Sequence, residues 1–211
     1  MIRELIADDH AIVREGLKQV VNESGDIEIA DEASNGNDAL NLARRNDYDV
    51  VILDITMPGR SGLDVLAQLK DEKPEVPVLV LSIHPEEQYA IRTLKTGAAG
   101  YLTKESAPQE LVQAIRKVAN GGKYVTNSLA EKLAFSLFTG IEHEAPHESL
   151  SAREFEVLRM LAEGHTLSDI ARILSLSVKT ISTYRSRILE KMNLKNNAEI
   201  VRYALEKGLV S

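Results

Sequence analysis

Three carboxylates, a hydroxyl and an ammonium stand where they could receive a phosphoryl group: Asp8-Asp9, Asp54, Ser82 and Lys104. Each ends a short apolar run. Asp8-Asp9 follows Ile2 to Ala7, Asp54 follows Val50-Val51-Ile52-Leu53, Ser82 follows Val78 to Leu81, and Lys104 follows Gly100-Tyr101-Leu102-Thr103. A carboxylate is a competent nucleophile that forms an acyl phosphate. Two further acids offer hard oxygen ligands to Mg²⁺, a lysine is a point charge suited to phosphate, and a serine donates one more hydrogen bond. In that arrangement Asp54 attacks, Mg²⁺ and Lys104 neutralise the equatorial oxygens, and Ser82 donates. Singly these residues have plainer readings: Asp54 as a turn residue, Ser82 as a strand end, Lys104 as a surface lysine, the acids as a solvated rim. Only convergence makes a site.

The surrounding pattern supplies the convergence. Strands are expected at 2–7, 27–33, 50–54, 78–82 and 100–104, and helices at 10–24, 37–45, 61–72, 86–96 and 108–120. The first helix carries Ile12, Val13, Leu17, Val20 and Val21 at core spacing, and the second turns Leu40 and Leu42 inward. Strict alternation of this kind gives a five-stranded parallel doubly wound α/β sheet with right-handed crossovers. In the order 2-1-3-4-5 the first and third strands are neighbours at the topological switch point, where ligands bind. Like charges meeting there are costly, which makes a divalent cation the natural compensator.

Composition sets the class. The 211 residues, 44% hydrophobic and 27% charged, describe a globular chain long enough for two small domains. No cysteine is present, which removes thiolate chemistry and Cys-based zinc sites and fits a reducing cytoplasm. No apolar run approaches a membrane span, and Met1-Ile2-Arg3-Glu4 does not read as a secretory signal. The net charge of −7 is uneven. Residues 149–211 carry 10 Lys and Arg against 7 Asp and Glu, whereas residues 1–125 carry 14 against 21. A basic module beside an acidic one raises the question of nucleic acid.

Residues 1–122 resemble the receiver domain of two-component response regulators. The resemblance lies in Asp8-Asp9, Asp54-Ile55-Thr56-Met57-Pro58-Gly59, Leu81-Ser82 and Gly100-Tyr101-Leu102-Thr103-Lys104-Glu105. It implies that Asp54 takes a phosphoryl group from a sensor histidine kinase, that Asp8, Asp9, Asp54 and the Thr56 carbonyl serve Mg²⁺, and that Lys104 pairs with the phosphate. It further implies that Ser82 and Tyr101 are a switch pair, the hydroxyl moving to the phosphoryl oxygen as the ring turns inward. Such a protein is a regulator, not an enzyme, catalysing only its own aspartyl phosphorylation and dephosphorylation.

Residues 123–148 read as a linker, with Asn127 capping a short helix over 128–138. His143 and His147 have the spacing of a metal pair on a helix, but Pro146 between them opposes that helix and no metal is expected there. Residues 149–211 form a small all-α domain of four helices, at 152–162, 167–174, 178–192 and 198–205. It opens on a Ser151/Glu154 capping box and carries a helix-turn-helix around Ser175-Leu176-Ser177. The third helix turns Ile181, Ile188, Leu189 and Met192 inward and leaves short hydroxyls and cations outward, which suits a major groove.

This module resembles the LuxR or NarL type of DNA-binding domain, through Leu150-Ser151-Ala152-Arg153-Glu154, Leu161-Ala162-Glu163-Gly164, Leu176-Ser177-Val178-Lys179-Thr180-Ile181 and Lys191-Met192. The resemblance implies base reading by Ser182, Thr183 and Ser186, and phosphate contacts from Lys179, Thr180, Tyr184, Arg187 and Lys195. Many members carry a lysine where Ser182 stands. A dimer face is implied at Asn197, Ile200, Val201 and Ala204.

The combined expectation is a NarL/FixJ-type response regulator and transcription factor in the cytoplasm. It would bind an inverted repeat of double-stranded DNA as a phosphorylation-dependent homodimer, with RNA polymerase as a further partner and no membrane. Two competitors use the same residues. A phosphatase of the haloacid-dehalogenase type also employs an aspartyl nucleophile but needs a second acid where Thr56 stands. A receiver that only docks proteins would not need the acidic pocket. A nucleotide-binding enzyme lacks its Gly-rich loop.

Overall fold

The computed structural model describes residues 1–58, 60–127, 129–131 and 145–210, with only the backbone of Glu87 and Gln88. The chain divides into two compact units, Met1–Ile141 and Glu142–Ser211. Gly59 and most of the expected linker helix lie outside the described residues.

The first unit alternates β1 (Ile2–Ala7), α1 (Ala11–Asn22), β2 (Ile27–Ala33), α2 (Gly36–Arg45), β3 (Val50–Asp54), α3 (Gly62–Glu72), β4 (Val78–Ser82), α4 (Glu86–Lys95), β5 (Gly100–Thr103) and α5 (Ala107–Ala119). The five strands are parallel in the order β2-β1-β3-β4-β5. Every residue of β3 and β4 is buried, as continuous apolar runs covered on both faces require. Register brings the chemistry together: Ala7 pairs with Leu53, Asp54 with Leu81, and Ser82 with Thr103. The residues that follow β1 and end β3, β4 and β5 therefore share one rim.

Helix starts follow their caps. Asn35 accepts from the Asp38 amide at 2.9 Å, and Ser61 takes the same role for α3. Between α1 and α5 on one side and the sheet on the other lies a core of Ile6, Leu17, Val21, Ile52, Leu79, Leu81, Leu111 and Ile115. Three expectations need correction. Ile12 is 89% exposed, because α1 begins at Ala11 and its inward stripe runs through Leu17 and Val21. Leu42 is only half-buried, since Ala39, Leu40 and Ala43 fill the inner face of α2. Asn127 sits inside a helical turn, and Thr126 caps it, accepting from the Leu129 amide at 3.2 Å.

One core position breaks the apolar pattern. Glu4, in the middle of β1, is fully buried, and among the described residues neither carboxylate oxygen has a hydrogen-bond partner. Burial pushes its carboxyl up to about 8.

The second unit opens on a 3₁₀ turn, Pro146–Ser149, followed by α6 (Ala152–Ala162), α7 (Leu167–Ile173), α8 (Val178–Lys191) and α9 (Asn197–Glu206). The Ser151/Glu154 capping box is present, and a second joins Thr166 to Asp169. Between α7 and α8, Ser175 takes a left-handed conformation at φ 54°, which makes the turn tight. His147 lies in the 3₁₀ turn with Nδ1 2.8 Å from the Tyr203 hydroxyl; His143 is outside the described residues. Among the described residues, no helix is long and apolar enough to cross a membrane.

Candidate phosphoryl-acceptor site and nucleic-acid interface

Asp54 ends β3 with its side chain on the rim and almost no exposure, 1%, as does Asp8 at the end of β1. The Lys104 ammonium, one residue past β5, lies 2.7 Å from Asp54 Oδ2 and 2.7 Å from Asp8 Oδ2. It bridges the two buried acids. Asp54 Oδ1 accepts from the Thr56 amide at 2.9 Å, which fixes the plane of the carboxylate. Burial pushes the Asp54 carboxyl above its ordinary value, an effect that Lys104 and the Thr56 amide oppose without cancelling. For Lys104, burial lowers the ammonium, but the hydrogen bonds to Asp54 and Asp8 outweigh it and leave it above the ordinary range.

Asp9 completes the acidic set. One oxygen from each of Asp8, Asp9 and Asp54, with a nitrogen of His10, falls within a 4.8 Å cluster able to hold a metal ion. Three carboxylate oxygens on a rim match the hard-ligand preference of Mg²⁺. His10 was not singled out from the sequence, although it directly follows Asp8-Asp9. Its Nδ1 approaches Asp9 Oδ1 at 2.8 Å, and its amide donates to Asp8 Oδ1 at 2.8 Å.

Ser82 and Tyr101 are both fully buried. The Ser82 hydroxyl oxygen accepts from the His84 amide at 3.0 Å, and the Tyr101 hydroxyl donates to the His84 carbonyl at 2.9 Å. The Tyr101 ring is thus held inside the unit, and burial raises its phenol well above the usual range. The His84 ring stacks on Tyr89 with centroids 4.7 Å apart. Neither partner carries a sequence signal, because the contact depends on how the β4–α4 loop folds back.

On the second unit, α8 exposes Lys179, Ser182, Thr183, Ser186 and Arg187, with Thr180, Tyr184 and Arg185 half-buried. Ile181, Ile188 and Met192 face the core; Leu189 is only half-buried. Ser177 caps the helix by accepting from the Thr180 amide at 3.0 Å. Thr183 donates its hydroxyl to the Lys179 carbonyl and Ser186 to that of Ser182, at 3.0 and 3.1 Å. Their oxygens keep lone pairs facing outward, suited to accept from base amino groups. Lys195 is exposed, and its amide donates to Glu199.

The expected dimer face is corrected in part. Ile200 and Ala204 are fully buried within their own unit, where α9 packs on α6, and cannot also contact a second copy. Asn197 is exposed and accepts from Arg185 Nε at 2.6 Å, tying α9 to α8; Val201 is half-buried.

Residues 5–116 match the family model of the response regulator receiver domain, and residues 148–204 match that of bacterial regulatory proteins of the luxR family. The chain belongs to the response regulators. It is a regulator of the NarL/FixJ type, with a receiver and a LuxR-type DNA-binding domain that serve transcription regulation. The regulator is 36% identical over 209 residues to response regulator UvrY of Escherichia coli (strain K12), covering 99% of this chain and 96% of that one. It is 37% identical over 210 residues to response regulator GacA of Pseudomonas aeruginosa, covering 100% and 98%. Among solved structures it resembles RcsB of Salmonella enterica serovar Typhimurium bound to promoter rprA in the presence of the phosphomimetic BeF3⁻. That match has TM-score 0.69 and 25% identity, over 96% of this chain and 97% of that one. A second RcsB structure gives TM-score 0.72 at 26% identity, over 96% of each chain.

Proposed function

We propose that the regulator, acting in the cytoplasm, accepts a phosphoryl group on Asp54 from a sensor histidine kinase and thereby changes its affinity for promoter DNA. The observation that carries this reading is the Lys104 ammonium 2.7 Å from both Asp54 and Asp8, beside Asp9. Asp54 Oδ2 attacks phosphorus as the bond to the kinase imidazole breaks and the imidazole leaves. Lys104 then follows the charge, exchanging its carboxylate contact for a phosphoryl oxygen. Asp8, Asp9, Asp54 and the Thr56 carbonyl would hold Mg²⁺, which supplies charge neutralisation at the phosphoryl oxygens. Ser82 turns its hydroxyl to the same group.

Phosphorylation regulates only through unequal affinity for two conformations. Moving a population from 1:99 to 99:1 takes about 5.5 kcal/mol, so a partial shift amplified by dimerisation is the economical route. The relatives named as response regulators, and RcsB bound to promoter DNA, support DNA as the target. Residues 1–122 would receive the signal, 123–148 transmit it, and 149–211 read DNA. Ser182, Thr183 and Ser186 would meet base edges, with Lys179, Thr180, Tyr184, Arg187 and Lys195 on phosphates. A pair of modules, meeting through outward residues of α9 such as Asn197, Val201 and the exposed Leu205, would span an inverted repeat.

The test is Asp54→Asn. It abolishes phosphoryl incorporation and removes the dependence of DNA affinity on the kinase. Wild-type incorporation in the variant overturns the assignment, and equal operator affinity with and without phosphoryl donor favours a receiver that only docks proteins.

A further inference from the structure

The segment after α5 is held by Lys123 Nζ on the Ala98 carbonyl at 2.9 Å, by the Tyr124 hydroxyl on Glu110 at 2.5 Å, and by two further ties that differ in kind. One tie is to the sheet: Tyr124 bridges Gly100, its amide donating to Ala99 at 2.8 Å while the Tyr101 amide donates to its carbonyl at 3.3 Å. The other is to α4. Thr126 donates its hydroxyl to Glu86 Oε2 at 2.5 Å, and its amide approaches Glu86 Oε1 at 3.5 Å. The Thr126 oxygen accepts from the Leu129 amide, and Leu129 is buried.

Capping alone does not account for Glu86. A cap needs only an acceptor oxygen, which Thr126 supplies to Leu129; its hydroxyl proton is left over, and it goes to the first residue of α4. That residue follows directly on the β4–α4 loop, where the Ser82 oxygen accepts from the His84 amide and the His84 carbonyl accepts from the Tyr101 hydroxyl. Ser82 and Glu86 thus flank one short loop, whereas the Tyr124 bridge is to β5 of the sheet.

We propose that Glu86 and Thr126 form the joint through which the acceptor site acts on the connector, with Thr126 as a positioning residue for signal output. The proposal rests on Asp54 being the acceptor. When the β4–α4 loop moves, the Glu86 tie changes while the Tyr124 bridge holds, so the connector pivots about Tyr124 and redirects the chain that follows.

Amide exchange followed residue by residue in the full chain, with and without BeF3⁻ and Mg²⁺, tests it. In the wild type, BeF3⁻ changes exchange at Ser82, Ile83, His84 and Glu86 and, by about tenfold, at Thr126, Leu129 and Ala130, the factor one hydrogen bond is worth. Thr126→Val keeps the first response and loses the second, and Thr126→Ser restores the second. A connector response in Thr126→Val equal to wild type overturns the joint, as does a wild-type response confined to the β4–α4 loop. A wild type unresponsive at every position overturns the Asp54 reading, and the joint with it.

Discussion

Gly62 lies so close to Asp54 that a Cβ at residue 62 would sit 1.9 Å from the Asp54 carbonyl oxygen. The first turn of α3 is pressed against the end of β3 that carries Asp54, and the Gly62 amide donates to the Ile55 carbonyl at 3.1 Å. Backbone atoms cannot yield as a flexible side chain would. Gly62→Ala therefore costs at least the roughly 1–3 kcal/mol typical of overpacking and lowers phosphoryl incorporation. Denaturant unfolding and a phosphorylation time course check both.

Lys104→Met leaves the Asp8 and Asp54 carboxylates without their shared cation. Removing one partner of a buried pair costs about 3–5 kcal/mol, and Lys104 at the rim should fall toward the lower end. Mg²⁺ then stabilises the variant more than the wild type, because it replaces lost positive charge. Urea midpoints with and without Mg²⁺ measure the difference; equal Mg²⁺ effects in both proteins contradict this account.

Glu4 predicts a pH dependence of unusual sign for a carboxylate. Its native value of about 8 lies above the ordinary 4.5, so the folded state holds the proton more tightly than the unfolded one. Its contribution is complete below pH 4.5 and is lost as pH rises through about 8. Every tenfold difference in proton affinity between the two states is worth about 1.4 kcal/mol, which makes the total loss several kcal/mol. Glu4→Met flattens the stability profile between those limits and exceeds the wild type at alkaline pH. A wild-type profile that rises over that range excludes a neutral Glu4.

The two kinds of DNA contact proposed for α8 separate by salt dependence. Arg187→Ala weakens binding to all sequences and reduces the salt slope by about 1, as loss of one phosphate contact should. Thr183→Ala leaves the slope unchanged and relaxes base preference at one position, at about 1–3 kcal/mol. Ser182→Lys adds a cation on the exposed face and steepens the slope. Binding titrations across a salt series, on specific and random duplexes, distinguish all three.

The receiver fold and its acidic pocket were legible because both depend on local signals. Four apolar runs end in aspartate twice, in serine and in lysine, and a parallel sheet can bring those ends together in only a few ways. Residues 200 and 204 were misassigned because an inward stripe and a dimer stripe look alike on a helix; only the packing of α9 on α6 separates them. Ile12 failed for the related reason that an apolar residue in a first turn can overhang the core. The ties of Tyr124 and Thr126 leave no trace in periodicity, since a single bridge and one hydroxyl contact repeat nowhere. Glu4 runs against the pattern of its own strand.

The bridge between Gly100 and Tyr124 has a consequence for colloidal behaviour. β5 is the last strand of the sheet, and its outer edge would otherwise offer unpaired amides and carbonyls to a neighbouring chain. Tyr124 occupies that edge, and Gly100 leaves room for it, since a Cβ there would come within 2.9 Å of both the Tyr124 carbonyl and its side chain. A receiver cut after residue 122 would lose this cover. It would bare a template for strand addition, and self-association would follow from the missing bridge rather than from any fault in the core.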